Sequence, residues 1–359
     1  MSDWKEYKLG EVVTFQRGHD LPKDKMVDGD IPVAGSNGVI GFHNEYTLNG
    51  PGVTIGRSGN IGIPHYYPKA YWAHNTVLYI KDFKGNDPKF MYYLLKTMDF
   101  TQLNTGSAVP SLNRNHIHEL PVSVPSIDEQ RRIASILTSL DDKIDLLRRE
   151  NATLEAMAET LFRQWFVVEA KEEWEEKPLS SIAIFLNGLA CQKYPAKNGI
   201  DKLPVLKIRE LSSGIGSDSD WATTEVGDEY IVHAGDVIFA WSASLMVKIW
   251  DGEDCILNQH LFKVTSDKYP KWFYYFWCKH HLNEFISIAQ SHATTMGHIK
   301  RGDLDTAMVL IPSDDELLSM TVQMEGLLKK MENNNEQINT LVQTRDRLLP
   351  RLMGGELMV

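Results

Sequence analysis

The sequence is poor in cysteine and has no long apolar run. Its 359 residues include only Cys191, Cys255 and Cys278, which are too few and too widely spaced for a disulfide framework or a zinc site. No stretch approaches the roughly 18 consecutive apolar residues of a transmembrane helix. The first residues also lack the apolar core of a secretory signal. These absences predict a protein of the reducing cytoplasm.

Catalytic signatures are missing as well. The sequence contains no P-loop, no dinucleotide-binding glycine fingerprint, no H-E-x-x-H, no C-x-x-C and no G-x-S-x-G. It also lacks the Asn-Pro-Pro-aromatic run that a base-modifying methyltransferase would need. We therefore expect no catalytic site, no metal site and no cofactor bound by this chain.

The charge balance is acidic, with 37 basic and 48 acidic residues and a net charge of −11. Such a balance argues against nucleic acid as a partner, because phosphate contacts need Lys and Arg. Its distribution is uneven, however, since residues 46–127 carry seven basic and four acidic side chains. The charge weakens a nucleic-acid function without excluding it.

The order of sequence features in the first half of the chain recurs in the second half. Trp4 and Trp174 each precede a leucine by five residues and a glycine, Gly18 or Gly188, by fourteen. The matched segments further along are Asn75–Leu78 with Asn258–Leu261, residues 88–93 with 270–275, and Pro125-Ser126 with Pro312-Ser313. Short β-like runs broken by turn residues predict a strand-rich globule in each half, with short helices at 90–95 and 272–277 packed on its sheet.

Each half ends in a long predicted helix. Ser126 to Glu129 and Ser313 to Glu316 both have the Ser-x-x-Glu form of a capping box. The residues that follow are spaced alternately four and three apart for more than four heptads, which indicates a coiled coil. The first seam is Ile133, Leu137, Leu140, Ile144, Leu147, Asn151, Leu154, Ala158, Leu161 and Trp165, and adding 187 gives the second.

One asparagine in each seam sets the direction of pairing. In a parallel pair at the repeat offset, Asn151 and Asn334 would each face an apolar side chain, at a cost of about 1–3 kcal/mol each. In an antiparallel pair that joins Ile133 to Leu352, the two asparagines face each other, and Arg345 falls beside Asp141 and Asp142. We predict this antiparallel register; two helices lying separately on their globules is the alternative. Helices of about 40 residues make a rod of roughly 60 Å, so DNA, which is itself long and repetitive, suits the predicted arrangement.

Two polar loops in each half are the candidate binding residues. Arg, Asn and Gln can bind base edges, while Lys, Ser and Thr suit phosphates; ordinary turns are the alternative for any single residue. The candidates are Arg57, Ser58, Asn60, Ser107, Ser111, Asn113 and Arg114 in the first half, and Trp241, Ser242, Ser244, Thr294, Thr295, His298, Lys300 and Arg301 in the second.

The chain resembles the specificity subunits of Type I restriction-modification enzymes over essentially its whole length. The resemblance rests on the duplicated Trp-x4-Leu start, PSIDEQRRIASIL at 125–137, and the helix ends LFRQWFV at 161–167 and LLPRLMGGEL at 348–357. It implies an α+β chain with two strand-rich target-recognition domains, at 1–125 and 169–312. Two long helices, at 126–168 and 313–356, would join them as an antiparallel coiled coil with approximate two-fold symmetry.

The resemblance also implies a function and partners. Each domain would read one half of a split, asymmetric DNA target, and the coiled coil would set the spacer. Methyltransferase subunits, two of them, would supply S-adenosylmethionine chemistry, and motor-nuclease subunits would supply ATP- and Mg²⁺-dependent cleavage. A non-DNA adaptor that binds proteins through its helices and globules is the alternative function.

Overall fold

The computed structural model describes residues 4–100, 103, 111–197, 199–216, 218–291, 297–357 and 359. The chain divides into two compact units. The first unit comprises Met1–Asp145 with Thr340–Val359, and the second comprises Leu146–Asn339. Each unit therefore combines one of the two predicted globules with parts of both long helices.

Among the described residues, nine strands and four α-helices begin in the first unit, and the last of these helices continues into the second unit. The strands are β1 (Lys5–Lys8), β2 (Thr14–Arg17), β3 (Ile31–Gly35), β4 (Gly38–His43), β5 (Gly52–Gly56), β6 (Pro64–Tyr67), β7 (Trp72–Ala73), β8 (Val77–Asp82) and β9 (Pro121–Val124). The helices are α1 (Leu9–Val12), α2 (Pro88–Lys96), α3 (Arg114–His118) and the long α4 (Ile127–Arg163).

The second unit repeats this order with additions. Its strands are β10 (Glu175–Pro178), β11 (Ile184–Asn187), β12 (Lys202–Leu206), β13 (Trp221–Thr223), β14 (Ile231–Val232), β15 (Val237–Ala240), β16 (Met246–Ile249), β17 (Cys255–Leu257), β18 (Leu261–Thr265) and β19 (Met308–Ile311). Its helices are α5 (Leu179–Ile182), α6 (Ile208–Ser213), α7 (Lys271–His280), α8 (Leu282–Ser291), α9 (Arg301–Thr306) and the long α10 (Asp314–Met353), which continues into the first unit.

The main sheets of the two units have the same topology. The order β2-β8-β5-β6 in the first unit corresponds to β11-β18-β15-β16 in the second. A second sheet pairs β3 with β4 and, in parallel, with β7; its counterpart pairs β12 with β13 and, in parallel, with β17. The second unit adds α6 and the edge strand β14 to this frame.

The entry and exit strands of each unit pair with each other. β1 pairs antiparallel with β9, from Lys5 opposite Val124 to Lys8 opposite Pro121. β10 pairs with β19 in the same way, from Glu175 opposite Ile311 to Pro178 opposite Met308. Each unit is therefore closed at the point where its chain enters and leaves.

The two matched glycines allow a close backbone approach that no other residue could make. A Cβ on Gly18 would lie 2.1 Å from the His74 carbonyl oxygen, and a Cβ on Gly188 would lie 2.3 Å from the Asn258 carbonyl oxygen. The next residue, His19 or Leu189, forms a parallel bridge with His74 or Asn258. The repeated glycine is therefore a packing requirement of both units.

Aromatic side chains dominate the two cores. In the second unit, α7 buries Trp272, Phe273, Tyr275, Phe276 and Trp277 against the sheet and the long helices. In the first unit, α2 buries Phe90, Met91, Tyr93, Leu94 and Leu95. The sequence prediction that 90–95 and 272–277 form short packed helices is confirmed.

The two long helices pair antiparallel in each unit. In the second unit, Asn334 Nδ2 donates to Asn151 Oδ1 at 2.9 Å, and Asn151 Nδ2 donates to Asn335 Oδ1 at 2.6 Å. In the first unit, Arg345 Nη1 lies 2.9 Å from Asp141 Oδ1. The facing asparagines and the Arg345–Asp141 pair are the contacts that the antiparallel register predicts.

The two predicted capping boxes differ. Ser313 and Glu316 form a reciprocal box, with Ser313 N donating to Glu316 Oε2 at 3.0 Å and Glu316 N lying 3.4 Å from Ser313 Oγ. In the first half, Glu129 N lies 3.5 Å from Ser126 Oγ, but the Glu129 carboxylate accepts from Arg132 at 3.0 Å instead. The expectation of a second reciprocal box is wrong, because Arg132 one turn along the helix binds that carboxylate.

Within the described residues, no helix is long and apolar enough to cross a membrane. Cys191, Cys255 and Cys278 are all free and buried.

Candidate nucleic-acid interface

In the first unit, the two predicted polar loops lie side by side. Ser58 and Ser111 form an antiparallel bridge, and Leu112 N donates to the Arg57 carbonyl at 2.9 Å. We call residues 57–60 and 111–114 the first strip. Loops that are 54 residues apart in the sequence thus present one continuous edge.

Two further segments hold the first strip in place. Arg57 N donates to the Thr76 carbonyl at 2.8 Å, just before β8. The Ser36 hydroxyl, buried in the turn after β3, lies 2.6 Å from the Ser58 carbonyl and 2.8 Å from the Thr76 carbonyl. Since one hydroxyl has one proton, it donates to one of the two carbonyls at a time. The strip is therefore anchored through its backbone, which leaves its side chains available.

The second unit builds an equivalent strip from residues 241–244 and 297–301, which we call the second strip. Ser242 and His298 form an antiparallel bridge, and Ile299 N donates to the Trp241 carbonyl at 3.1 Å. Trp241 N in turn lies 3.3 Å from the His260 carbonyl. The bridge of Ser242 with His298 corresponds to that of Ser58 with Ser111. The bonds from Ile299 to Trp241 and from Trp241 to His260 correspond to those from Leu112 to Arg57 and from Arg57 to Thr76. Both units therefore share one backbone frame.

Each strip continues into a short helix that begins at an arginine. Arg114 opens α3, and Asn113 caps it by accepting from Asn115 N at 3.0 Å. Arg301 opens α9, and the preceding Lys300 N donates to Asp303 Oδ2 at 2.7 Å. The start of each helix therefore fixes the backbone position of its arginine.

The structure separates exposed candidates from those that support the strips. Asn60, Asn113 and Arg114 are exposed in the first strip, whereas Arg57, Ser58 and Ser111 are half-buried. In the second strip, Ser244, His298, Lys300 and Arg301 are exposed. The predicted residues Ser107, Thr294 and Thr295 lie outside the described residues.

Three candidates of the second strip make contacts that fix the loop. The Trp241 indole N–H donates to Asn187 Oδ1 at 3.0 Å, and its ring stacks on Phe262 at 5.6 Å. Ser242 is buried, with its Oγ 3.2 Å from His260 Nδ1. Arg301 Nη2 lies 3.4 Å from the Phe185 carbonyl. The side chains of Trp241 and Ser242 therefore hold the strip in place by internal contacts and are not exposed for binding.

The sequence analysis missed the residues that anchor the strips. The sequence match paired Thr76 with Gln259, but the equivalent backbone bonds of Arg57 and Trp241 place His260 at the position of Thr76, one residue along. Ser36 and Asn37 belong to the turn between β3 and β4, where the second unit has α6 instead. That segment has no counterpart in the repeat, so the sequence offered no comparable signal.

Burial favours the neutral form of three histidines near the first strip, His65, His74 and His118. Burial lowers the pKa of His118, and the neighbouring Arg114 and Lys84 lower it further. His118 Nε2 accepts a hydrogen bond from Phe15 N at 3.0 Å, which a protonated ring could not do. Burial likewise lowers the pKa of His65 and His74. Cationic charge in the first strip thus comes from Arg57 and Arg114. The part of the chain that the structure describes holds no group of three or more residues suited to a metal ion.

The chain thus consists of two units on one repeated frame, each with a strip of two bridged polar loops and a pair of antiparallel helix segments. A family model described as "Type I restriction modification DNA specificity domain" matches residues 1–156 and 171–343. The chain belongs to this family. The match covers both units, so the chain is a specificity component and not a catalytic one, and the adaptor alternative is not favoured.

Individual relatives agree with this assignment. The chain is 25% identical to the Type I restriction enzyme MjaIX specificity subunit of Methanocaldococcus jannaschii, over 99% of this chain and 94% of the relative. It is 20% identical to the HindI specificity subunit of Haemophilus influenzae, over 99% and 100%. The crystal structure of a Type I restriction-modification S subunit from M. genitalium superposes with a TM-score of 0.62 at 13% identity, covering 98% of this chain and 96% of that one, and so shows the same fold.

Proposed function

We propose that the first and second strips are the DNA-reading surfaces of this chain, one for each half of a split target. The observation that carries the proposal is the shared bridge, Ser58 with Ser111 and Ser242 with His298. In both units it joins the two loops whose residues suit base edges and phosphates. The exposed side chains that would make contacts are Asn60, Asn113, Arg114, Ser244, His298, Lys300 and Arg301.

The two half-sites should differ in sequence. The first strip exposes asparagine amides and a guanidinium, whereas the second exposes an imidazole, an ammonium and a guanidinium. Amides pair well with adenine and guanidinium groups with guanine, so different side chains on one frame select different bases. The target of the whole chain is then asymmetric.

The chain acts as part of a complex in this proposal. Two methyltransferase subunits dock on the long helices and bring S-adenosylmethionine, while motor-nuclease subunits bring ATP and Mg²⁺. A net charge of −11 makes the chain alone a weak DNA binder, and the partners add basic surface. The complex works in the cytoplasm, and the target base is flipped into the methyltransferase pocket.

Methylome sequencing tests the proposal. The chain would be expressed with its cognate methyltransferase in a host that lacks DNA methylation, and each protein would also be expressed alone. We expect one split motif that appears only when both are present. The proposal fails if the two proteins co-purify and no motif appears.

A substitution at Arg114 tests whether the first strip determines one half of the methylation motif. Arg114→Ala removes an exposed cation from the first strip, and Lys23→Ala removes one from the turn Lys23–Lys25 of the same unit. We expect Arg114→Ala to weaken methylation or relax one half of the motif, and Lys23→Ala to leave both unchanged. Equal effects of the two variants would contradict the assignment of the strip.

A further inference from the structure

Two exposed asparagines form a side-chain pair beside the first strip. Asn60 Nδ2 donates to Asn37 Oδ1 at 2.7 Å. Asn60 belongs to the first strip, and Asn37 lies in the turn between β3 and β4, 23 residues earlier. Exposed amides usually bond to water, so a direct amide–amide bond between two loops is a specific arrangement.

Both asparagines stand on backbone that is fixed independently. Ser36, the neighbour of Asn37, is buried, and its hydroxyl contacts the carbonyls of Ser58 and Thr76. On the other side, Gly59 and Gly62 have positive φ angles of 80° and 76°, and Gly62 N donates to the Gly56 carbonyl at 2.8 Å. The pair therefore loses little conformational freedom when it binds a ligand.

The amide–amide bond leaves further donors and acceptors on both side chains. The bond between the amides uses one N–H of Asn60 and one lone pair of Asn37. The Asn37 amide keeps both of its N–H groups, and Asn60 keeps its carbonyl oxygen. Adenine offers the complementary pattern in the major groove, with N7 as acceptor and the N6 amino group as donor. The amides are uncharged, which suits a base edge better than a phosphate.

We propose that Asn37 and Asn60 together read one adenine in the half-site bound by the first unit. Asn37 donates to N7, and the Asn60 carbonyl accepts from N6. This inference rests on the proposed function of the first strip and adds Asn37 to it. In the second unit, Ser244 stands at the position of Asn60, and α6 follows β12 where the Asn37 turn follows β3. The half-site read by the second unit is therefore not affected by this pair.

The test compares the methylation motifs of Asn37→Ala, Asn60→Ala and Asn49→Ala, each expressed with the methyltransferase. Asn49 is an exposed asparagine of the same unit, on the segment where Leu48 pairs with Tyr71, and it serves as the matched control. We expect Asn37→Ala and Asn60→Ala to relax the same single adenine position, with a loss of discrimination of about 5- to 150-fold. Asn49→Ala should keep the full motif.

The second half-site is the internal control for folding. A variant that still requires the unchanged second half-site is folded and assembled, so relaxation elsewhere reports on base reading. An unchanged adenine position in both strip variants overturns the inference and leaves the proposed function standing. Absence of a motif for the wild type overturns the proposed function itself.

A modified duplex identifies the groove. Once the adenine position is known, 7-deazaadenine there removes the N7 acceptor and leaves base pairing intact. We expect methylation of that duplex by the wild-type complex to fall, and the Asn37→Ala complex to methylate both duplexes equally. Equal methylation of both duplexes by the wild-type complex would overturn the major-groove contact.

Discussion

The first and second strips share a backbone and differ in side chains. In both, one bridge joins two loops. In both, a backbone N–H of the strip also donates to the carbonyl just before a strand of the main sheet: Arg57 N to Thr76 before β8, and Trp241 N to His260 before β18. Yet Asn60 corresponds to Ser244, and Ser111 corresponds to His298. The difference teaches that one backbone frame can carry different exposed side chains at corresponding positions.

The support beneath the strips also differs. A buried serine hydroxyl, from Ser36, fixes the first strip, whereas His260 Nδ1 contacts Ser242 in the second. Gly59 takes a left-handed φ of 80° in the first strip, and Ala243, at the corresponding place, takes 56°. The second strip thus holds a non-glycine residue where the first has glycine, at a cost in backbone strain.

The largest expected effect tests the frame that the units share. Gly18→Ala and Gly188→Ala each place a Cβ within 2.3 Å of a backbone carbonyl oxygen, which has no side-chain freedom to move. We expect each to lower the free energy of unfolding by about 3 kcal/mol, measured by urea denaturation. Gly302→Ala, with open space around the new Cβ, is the control and should be nearly neutral. A mild effect at only one of the two glycines would break the equivalence of the units.

The helix pair gives the next effect. Asn334→Leu removes the donor to Asn151 Oδ1 at a fully buried position and should cost about 1–3 kcal/mol of unfolding free energy. Asn151→Leu should cost at least as much, because it leaves the buried Asn334 amide without its acceptor. The double variant should recover stability, because no unpaired amide then remains at the two seam positions, and the half-buried Asn335, which loses its donor from Asn151, can still reach water. If the double variant loses more unfolding free energy than the two single variants lose together, the facing register is contradicted.

The capping box of Ser313 and Glu316 predicts a loss of stability in acid. The Lys171 ammonium and the Ser313 hydroxyl hold the pKa of Glu316 at about 2, below its ordinary value of 4.5. Since the folded state favours the ionised form, the stability from Glu316 is present above pH 4.5 and is lost as the pH falls towards 2. Glu316→Gln should therefore destabilise at pH 6 and have a smaller effect at pH 2.5. Thermal unfolding of both proteins at the two pH values measures the effect, and an equal destabilisation at pH 6 and pH 2.5 would contradict this role of Glu316.

The smallest effect concerns the left-handed position. Ala243→Gly relieves the strain in the second strip and should stabilise by about 0.5 kcal/mol, while Gly59→Ala should destabilise by about 1 kcal/mol. A Cβ at Gly59 has open space, so the cost comes from the φ angle alone. Opposite signs in denaturation would support the equivalence of the two positions, and equal signs would count against it.

The repeat made much of the fold predictable from the sequence. The paired tryptophans, glycines and Pro-Ser starts indicated two similar units, and the heptad seams indicated the paired helices. The two seam asparagines predicted an antiparallel contact because only one register satisfies both amides. These signals are local in the sequence or compare it with itself, so a single chain carries them.

What escaped prediction depends on contacts between distant segments that have no repeat partner. Ser36 contacts carbonyls 22 and 40 residues away, and the Asn37–Asn60 bond spans 23 residues. Glu129 was expected to cap its helix, but Arg132 competes for the carboxylate. Burial of Ser242 and Trp241 likewise follows from the packing of their loop, which the polarity of its residues does not reveal.

The glycines that touch a backbone carbonyl divide the chain into two kinds of position under mutation. Gly18 and Gly188 accept no side chain, because their neighbours are main-chain atoms common to every variant of the fold. An exposed strip residue such as Ser244 or Asn60 can be exchanged without disturbing that contact. A complete mutational scan would therefore find a few positions that tolerate no side chain and exposed strip positions whose exchange leaves the fold intact. Under the proposed function of the strips, a single exchange at an exposed position would change the recognised target while the fold stays the same.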